Sequence, residues 1–221
     1  LALLEVKKNC AHFMDIQVAM LLEWPVTGAA GKERQALARE AVSAGVDVIG
    51  GCPHLDPDPR GAVEFLLELA IDAQLPLDLH ADENMRTDSN DLEHLADIVI
   101  RDNVSHQMNA SHCVSLSTRS EADIDLIAAK VATAGITITA LPQTTLFLQE
   151  RGVSSKPARA ITPIHRLQQA GVLVAAGADN LQDPFNLVGR GDPLEITSLL
   201  MVSAHISASE SIQMISTNAH Q

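Results

Sequence analysis

Leu75-Pro76-Leu77-Asp78-Leu79-His80-Ala81-Asp82-Glu83 is an apolar run that ends in His80-Ala81-Asp82-Glu83, a cluster of ionisable side chains. Two other stretches share this grammar. Met108 to Ala110 leads into Ser111-His112, and Val172 to Ala176 leads into Gly177-Ala178-Asp179. Each reads as a strand carrying chemistry at its C-terminal end. Three such ends meeting in one fold make a catalytic mouth, which requires the strands to run parallel around a common rim.

Working outward, short apolar runs alternate with longer amphipathic segments, the pattern of alternating strands and helices. Strands are expected at Asp15 to Leu21, Val46 to Gly50, Leu75 to His80, Gln107 to His112, Ile136 to Leu141 and Val172 to Gly177. Between them, Val63, Leu66, Leu67, Ala70 and Ile71 fall on one helical stripe, as do Ile124, Ile127, Ala128 and Val131. An Ala-rich helix is expected from about Lys32 to Ala44. The junctions Ala44-Gly45-Val46, Ala134-Gly135-Ile136 and Ala170-Gly171-Val172 each put a glycine between a helix and a strand, where a C-terminal cap belongs. They mark a repeated β/α unit. Such repeats leave a doubly wound sheet or a (β/α)8 TIM barrel. The sequence has no GxGxxG or Walker A string to favour the first, and the barrel explains why the ionisable strand ends converge. About six units cannot close eight strands, so the expected fold is α/β, an incomplete barrel.

The composition agrees. In 221 residues, 46% are hydrophobic, yet there are only four Phe, one Trp and no Tyr. The core must then come from Ala, Leu, Ile and Val, which suits a helix-covered parallel sheet. A formal net charge of -13 with fifteen scattered Lys and Arg disfavours nucleic acid or an anionic membrane surface as partner. Neither a membrane span nor a signal-peptide pattern is visible. Cys10, Cys52 and Cys113 are widely spaced, which supports neither a disulfide framework nor a thiolate metal site and gives a cytoplasmic address by default. The chain opens on Leu1 without an initiator Met and stops at Gln221, so both ends read as cuts.

His80 and Glu83 are the sharpest pair. An imidazole at a strand end can bind a metal while a carboxylate three residues on shuttles protons, and zinc and iron(II) both accept such donors. Taken alone, His80 also reads as an imidazole satisfied by a loop carbonyl. His112 adds a second imidazole facing the same mouth, able to hold a hydroxide or polarise a substrate oxygen. Asp179 sits where a barrel presents its last carboxylate, although alone it also reads as a helix N-cap. Together the three strand ends outweigh those separate readings. His94, His106, His165 and His205 fall on helices or connections where local hydrogen bonds suffice, and the acidic run Asp88 to Glu93 reads as a helix start.

Pro53-His54, Leu77 to Glu83, Ala110-Ser111-His112, Leu148-Gln149 and Gly177-Ala-Asp-Asn-Leu-Gln-Asp-Pro-Phe185 together resemble the cytosine deaminase branch of the amidohydrolase superfamily. The similarity runs in order across nearly the whole chain, and the His-x-x-Glu and Gly-x-Asp-x-x-x-Asp-Pro segments are its specific parts. It implies a metal-dependent barrel in which the six strands are the third to the eighth. It also implies that residues 1–221 form a barrel domain lacking the first two units and a terminal β-sandwich. The family's His-x-His pair belongs to the first strand, and no His-x-His occurs in this sequence. Of the family's protein ligands, His80 and Asp179 remain, for one divalent ion, zinc or iron(II).

The activity implied is hydrolytic deamination of a nitrogen heterocycle, a metal-activated hydroxide attacking a ring carbon with release of ammonia. Asp179 takes a proton from water, His112 positions the hydroxide, and Glu83 protonates the adjacent ring nitrogen. The substrate is a small cytosine-like ring, with isocytosine, a triazine, creatinine or a pterin as alternatives. Cytosine deaminases carry a Gln at the end of the third strand, whereas Leu21-Leu22-Glu23-Trp24-Pro25 has none, so Glu23 or Trp24 is expected to face the ligand. Asn180 stands where the family has a second Asp, His54 is a pocket candidate, and Phe185 keeps an aromatic at the rim. A homo-oligomer is expected. The competing reading, of another class, is a catalytically inactive barrel serving as a binding or oligomerisation module.

Overall fold

The computed structural model describes residues 2–220; the chain-end readings at Leu1 and Gln221 lie outside them. Six strands form one sheet: β1 (Ala19–Leu22), β2 (Val48–Gly51), β3 (Leu77–Ala81), β4 (Met108–His112), β5 (Thr137–Ala140) and β6 (Val174–Ala176). Each pairs in parallel with the next, so the spatial order is the chain order. A doubly wound sheet reverses its strand order at a switch point. This sheet does not reverse, and it has the connectivity of a barrel wall left open between β1 and β6 among the described residues.

Helices α1 (Ala2–Cys10), α2 (Gly28–Ala44), α3 (Pro59–Ala73), α4 (Asp91–Asp102), α5 (Glu121–Ala134), α6 (Pro142–Leu148), α7 (Ile164–Gln169), α8 (Pro193–Ala204) and α9 (Ala208–Met214) fill the remaining units. The glycine junctions act as the sequence suggests. Gly45 and Gly135 cap α2 and α5 with φ of 95° and 66°, a conformation a Cβ would disfavour. Gly171 makes the same turn one residue beyond the Ala170 cap of α7.

All six expected strands are present, but each begins one to four residues later than its expected start. The run at Leu75 pairs only from Leu77, because Pro76 has no N–H to give the ladder; its carbonyl accepts from Ile49 N instead, at 2.9 Å. The α3 stripe needs one correction. Val63, Leu66, Leu67 and Ala70 are buried, whereas Ile71 is 40% exposed, since it sits beside the stripe in the last turn, away from the sheet.

Alternation along the strands divides the sheet into two faces. Ile49, Leu77, Leu79, Ala110, Ile138 and Val174 are buried, in one core cluster with Val63 and Leu66 of α3, Leu95 and Val99 of α4, and Ile124 and Val131 of α5. Each Leu, Ile or Val side chain among them contributes about 1.5–3 kcal/mol by leaving water. The opposite face is polar. Asp78 Oδ1 accepts from Asn109 Nδ2 at 2.7 Å and from Ser111 Oγ at 3.0 Å, while Asn109 Oδ1 accepts from Thr137 and Thr139, both at 3.0 Å. This band stitches β3, β4 and β5 together one step below the rim. No helix among the described residues is long and apolar enough to cross a membrane.

Candidate active site

His80 is the next-to-last residue of β3, and alternation puts it on the polar face with Asp78. Its carbonyl lies 3.0 Å from His54 Nδ1, so the ring nitrogen of His54 donates to it. After Ala81 the chain turns sharply at Asp82, whose φ is 54°. That turn brings Glu83 back over the strand end, with Oε2 4.0 Å from His80 Nδ1 and 3.5 Å from His112 Nε2.

His112 reaches the same place by a different route. Strict alternation would set it with Met108 and Ala110, against the helices. Instead His112 and Cys113 both take left-handed backbone, with φ of 69° and 49°, and the ring swings to the rim, fully buried. Its Nε2 lies 3.3 Å from His80 Nδ1 and 3.8 Å from Asp179 Oδ2. Asp179, three residues beyond β6, is also left-handed, at φ 64°. His and Asp tolerate this region better than most residues, at a cost of about 1–2 kcal/mol each. Backbone strain of this kind concentrates where a side chain must be aimed.

Two adjacent threonines at the start of α6 hold these groups from behind. Thr145 Oγ1 lies 3.4 Å from His112 Nδ1. Thr144 Oγ1 accepts from Asn180 N at 3.3 Å and lies 3.4 Å from the Ala178 carbonyl, bracketing Asp179 on both sides. Both are almost wholly buried. Sequence reading passed over them because a Thr pair after Pro142 carries no distinctive spacing; its position one turn past the end of β5 was the available signal.

The electrostatics follow from burial. Glu83 is pushed up to about 7 by burial and then by the charge of Asp179. His112 is driven well below the ordinary histidine range by burial, with His80 and His54 adding to the effect, and is therefore neutral. Burial also raises Asp179, against the opposing pull of His80 and the Thr144 hydroxyl. Cys52 is raised to about 12, first by burial and then by Glu83 and Asp179, so no thiolate forms beside the mouth. Beside Glu83 a cavity of about 160 Å³ is lined by Asn84, Met85, Val114, Thr145, Leu148 and Gln149. The Gln149 amide is occupied at both ends, donating to the Ala160 carbonyl at 2.6 Å and accepting from its N–H at 2.9 Å.

Of the remaining sequence candidates, His54 and Asn180 adjoin the cluster through backbone contacts, and the others have neighbours elsewhere. Glu23 is exposed and pairs with Arg34 at 3.5 Å. Trp24 is 42% exposed and lines a small crevice with Cys52, Pro53 and Leu66. Asn180 donates to Asp183 at 2.6 Å, and Phe185 is exposed. His54 stands directly behind His80. The structure thus brings His80, Glu83, His112 and Asp179 together and gives Glu23, Trp24, Asn180 and Phe185 other neighbours.

His80, Glu83 and His112 each offer a ligand atom, all within 4.8 Å of one another. Imidazole nitrogens beside carboxylate oxygens suit zinc or iron(II). The model described as "Amidohydrolase family" matches residues 4–221. The chain belongs to that family. Among amidohydrolase relatives it is similar to a pterin deaminase of Rhizobium rhizogenes, at 34% identity over 199 residues, which is 87% of this chain and 44% of the relative. It is 26% identical to the uncharacterized protein YahJ of Escherichia coli over 186 residues, 81% of this chain and 37% of that one. The structure superposes on 5-methylcytosine deaminase from Klebsiella pneumoniae with a TM-score of 0.88 and 27% identity, covering 99% of this chain and 54% of the other. N-isopropylammelide isopropylaminohydrolase from Burkholderia multivorans shares the fold at a TM-score of 0.79 and 21% identity, covering 98% and 53%. The chain therefore spans about half the length of these relatives or less, and its open sheet is an incomplete amidohydrolase barrel.

Proposed function

We propose that residues 1–221 are one barrel domain of a metal-dependent hydrolytic deaminase acting on a small nitrogen heterocycle. The observation that carries this reading is the convergence of His80, Glu83, His112 and Asp179 from three strand ends onto one rim. The names of the pterin deaminase and 5-methylcytosine deaminase relatives support the reaction class. Identity is higher to the pterin enzyme, which makes a pterin the first ring to test, followed by cytosine, isocytosine, ammelide and creatinine.

The roles follow from the environments. His80 and Asp179 are the residues that would hold the ion, and a zinc or iron(II) ion there supplies the Lewis acidity that brings the pKa of water down to about 7. Asp179 takes a proton from the attacking water. His112, neutral and braced by Thr145, orients the water oxygen toward the ring carbon. Glu83, poised near neutrality, delivers a proton to the adjacent ring nitrogen as the C–O bond forms. Asp179 then returns its proton to the exocyclic amino group and the new hydroxyl gives its proton back to Glu83, so that the C–N bond breaks, ammonia leaves and a ring carbonyl forms. Glu23, Trp24, His54, Asn180 and Phe185 are proposed to line the substrate's approach. The acidic chain acts on a small molecule, without nucleic acid or membrane as partner, in the cytoplasm and as a homo-oligomer.

The test is ammonia release by full-length protein loaded with zinc or iron(II), across those rings. Turnover of one ring, abolished by Glu83→Gln, supports the reading. No release from any ring would leave the inactive-barrel reading in its place.

A further inference from the structure

Asp82 lies between two residues of the proposed site, yet its carboxylate faces away from them. It is 3% exposed and its oxygens are fully engaged. Oδ1 accepts from Ser89 Oγ at 2.8 Å and from Asp91 N at 2.9 Å, and Oδ2 accepts from Leu92 N at 3.1 Å. Asp91 and Leu92 open α4, whose N-cap residue, Asn90, makes no side-chain capping bond. Asp82 therefore caps α4 from outside the helix, supplying the negative charge a helix start favours.

The same residue is tied to the neighbouring strand end. Its carbonyl accepts from Ser115 N at 3.1 Å and from Asn84 N at 2.8 Å, and Cys113 N donates to the preceding carbonyl of Ala81 at 2.9 Å. Ser89 extends the tie, because its hydroxyl accepts from Asn84 Nδ2 at 3.0 Å and its carbonyl lies 3.3 Å from Ser115 Oγ. The segment leaving His112 is thus fastened to the backbone carbonyls of Ala81 and Asp82, and the buried Asp82 carboxylate anchors that same backbone, with Glu83 next to it, to the start of α4.

We infer that Asp82 is a positioning residue, its carboxylate, locked onto the start of α4, holding the left-handed turn that aims Glu83 at His112. The inference rests on the deaminase reading and deepens it, since it explains how an acid and an imidazole from different strands keep a 3.5 Å separation. Asp82 touches neither His80 nor His112 through its side chain; it acts through Glu83. Removing such a support misplaces the proton donor while leaving the binding surface in place, so the effect falls on kcat.

The experiment compares full-length wild type with Asp82→Ala, Asp82→Asn and Ser207→Ala. The last removes the capping box of α9, formed by Ser207 and Glu210, and serves as a matched loss of a helix cap elsewhere. Asp82→Ala is expected to lower kcat about 50-fold with KM within about threefold, and Asp82→Asn, which tolerates the turn and keeps one acceptor, about fivefold. Ser207→Ala should lower the melting temperature and leave kcat unchanged. Equal kcat losses in Asp82→Ala and Ser207→Ala, or no loss in the former, would overturn the inference. Amide hydrogen exchange decides the matter even if the wild type turns over no ring, an outcome that removes the deaminase reading alone. Asp82→Ala should speed exchange about tenfold at residues 83–89 and 113–116; faster exchange confined to α4 would refute the positioning role.

Discussion

The rim and the band beneath it are built from the same strands and obey opposite rules. In the lower band Asp78, Asn109, Ser111, Thr137 and Thr139 follow simple alternation and satisfy one another at 2.7–3.2 Å. At the rim, one step further along β3 and β4, His80, Glu83, His112 and Asp179 approach at 3.3–4.0 Å without settling into a closed hydrogen-bonded set. Two of the four, His112 and Asp179, hold left-handed backbone. The lower band contributes stability by being complete. The rim keeps donors and acceptors free for a ligand and is held open by its supports.

The largest expected effect is at the rim. Glu83→Gln should cut kcat about a thousandfold, within the range for losing a general acid, while thermal unfolding stays at or above the wild-type temperature because a neutral amide avoids the cost of burying charge that raises Glu83 to about 7. A large drop in melting temperature would blur the division between the two tiers. Asn109→Ala is the reverse case. It takes one partner each from Asp78, Thr137 and Thr139, of which Asp78 keeps Ser111 and Thr137 keeps the Met108 carbonyl, and should cost about 1–3 kcal/mol in urea unfolding, with kcat changed less than about threefold; a kcat loss like that of Glu83→Gln would erase the contrast.

Thr145→Val sharpens the comparison by removing a rim support without removing volume. About a tenfold fall in kcat is expected, with Thr145→Ser near wild type, and equal behaviour of the two variants would show that the hydroxyl does not brace His112. The smallest effect is at the foot of the sheet. There the hydrogen bond from Lys7, and then the backbone N–H of Val18, lower the Asp47 carboxyl. A depressed carboxyl adds stability that is present above the ordinary aspartate pKa and is lost as pH falls through the folded-state value. Lys7→Met should therefore cost less than about 1 kcal/mol at pH 7, and its deficit should shrink as the solution is acidified below about pH 4. A deficit that holds constant to low pH would contradict the pairing.

Much of the fold is legible because its signals are local. Helix stripes, glycine junctions and short apolar runs each report on their own segment, and parallel pairing in chain order follows from repetition. The site was legible where strand alternation or immediate adjacency sets the direction, as for His80 and Glu83. It was less so at His112, whose inward aim depends on two left-handed residues that no periodicity encodes. Thr144, Thr145 and Asp82 were passed over because their importance lies in long-range hydrogen bonds, and buried Asp and Thr look like ordinary loop and helix-start residues until the fold brings their partners in.

The order of the strands has a consequence for how the rim is assembled. Since the described strands pair in chain order, the two imidazoles can meet once β4 has left the ribosome, while β5 and β6 are still being made. Asp179 arrives with β6, after Thr144 and Thr145 are already in place to receive it. Vectorial synthesis would then build the acid and imidazole cradle first and deliver the last carboxylate into a finished socket.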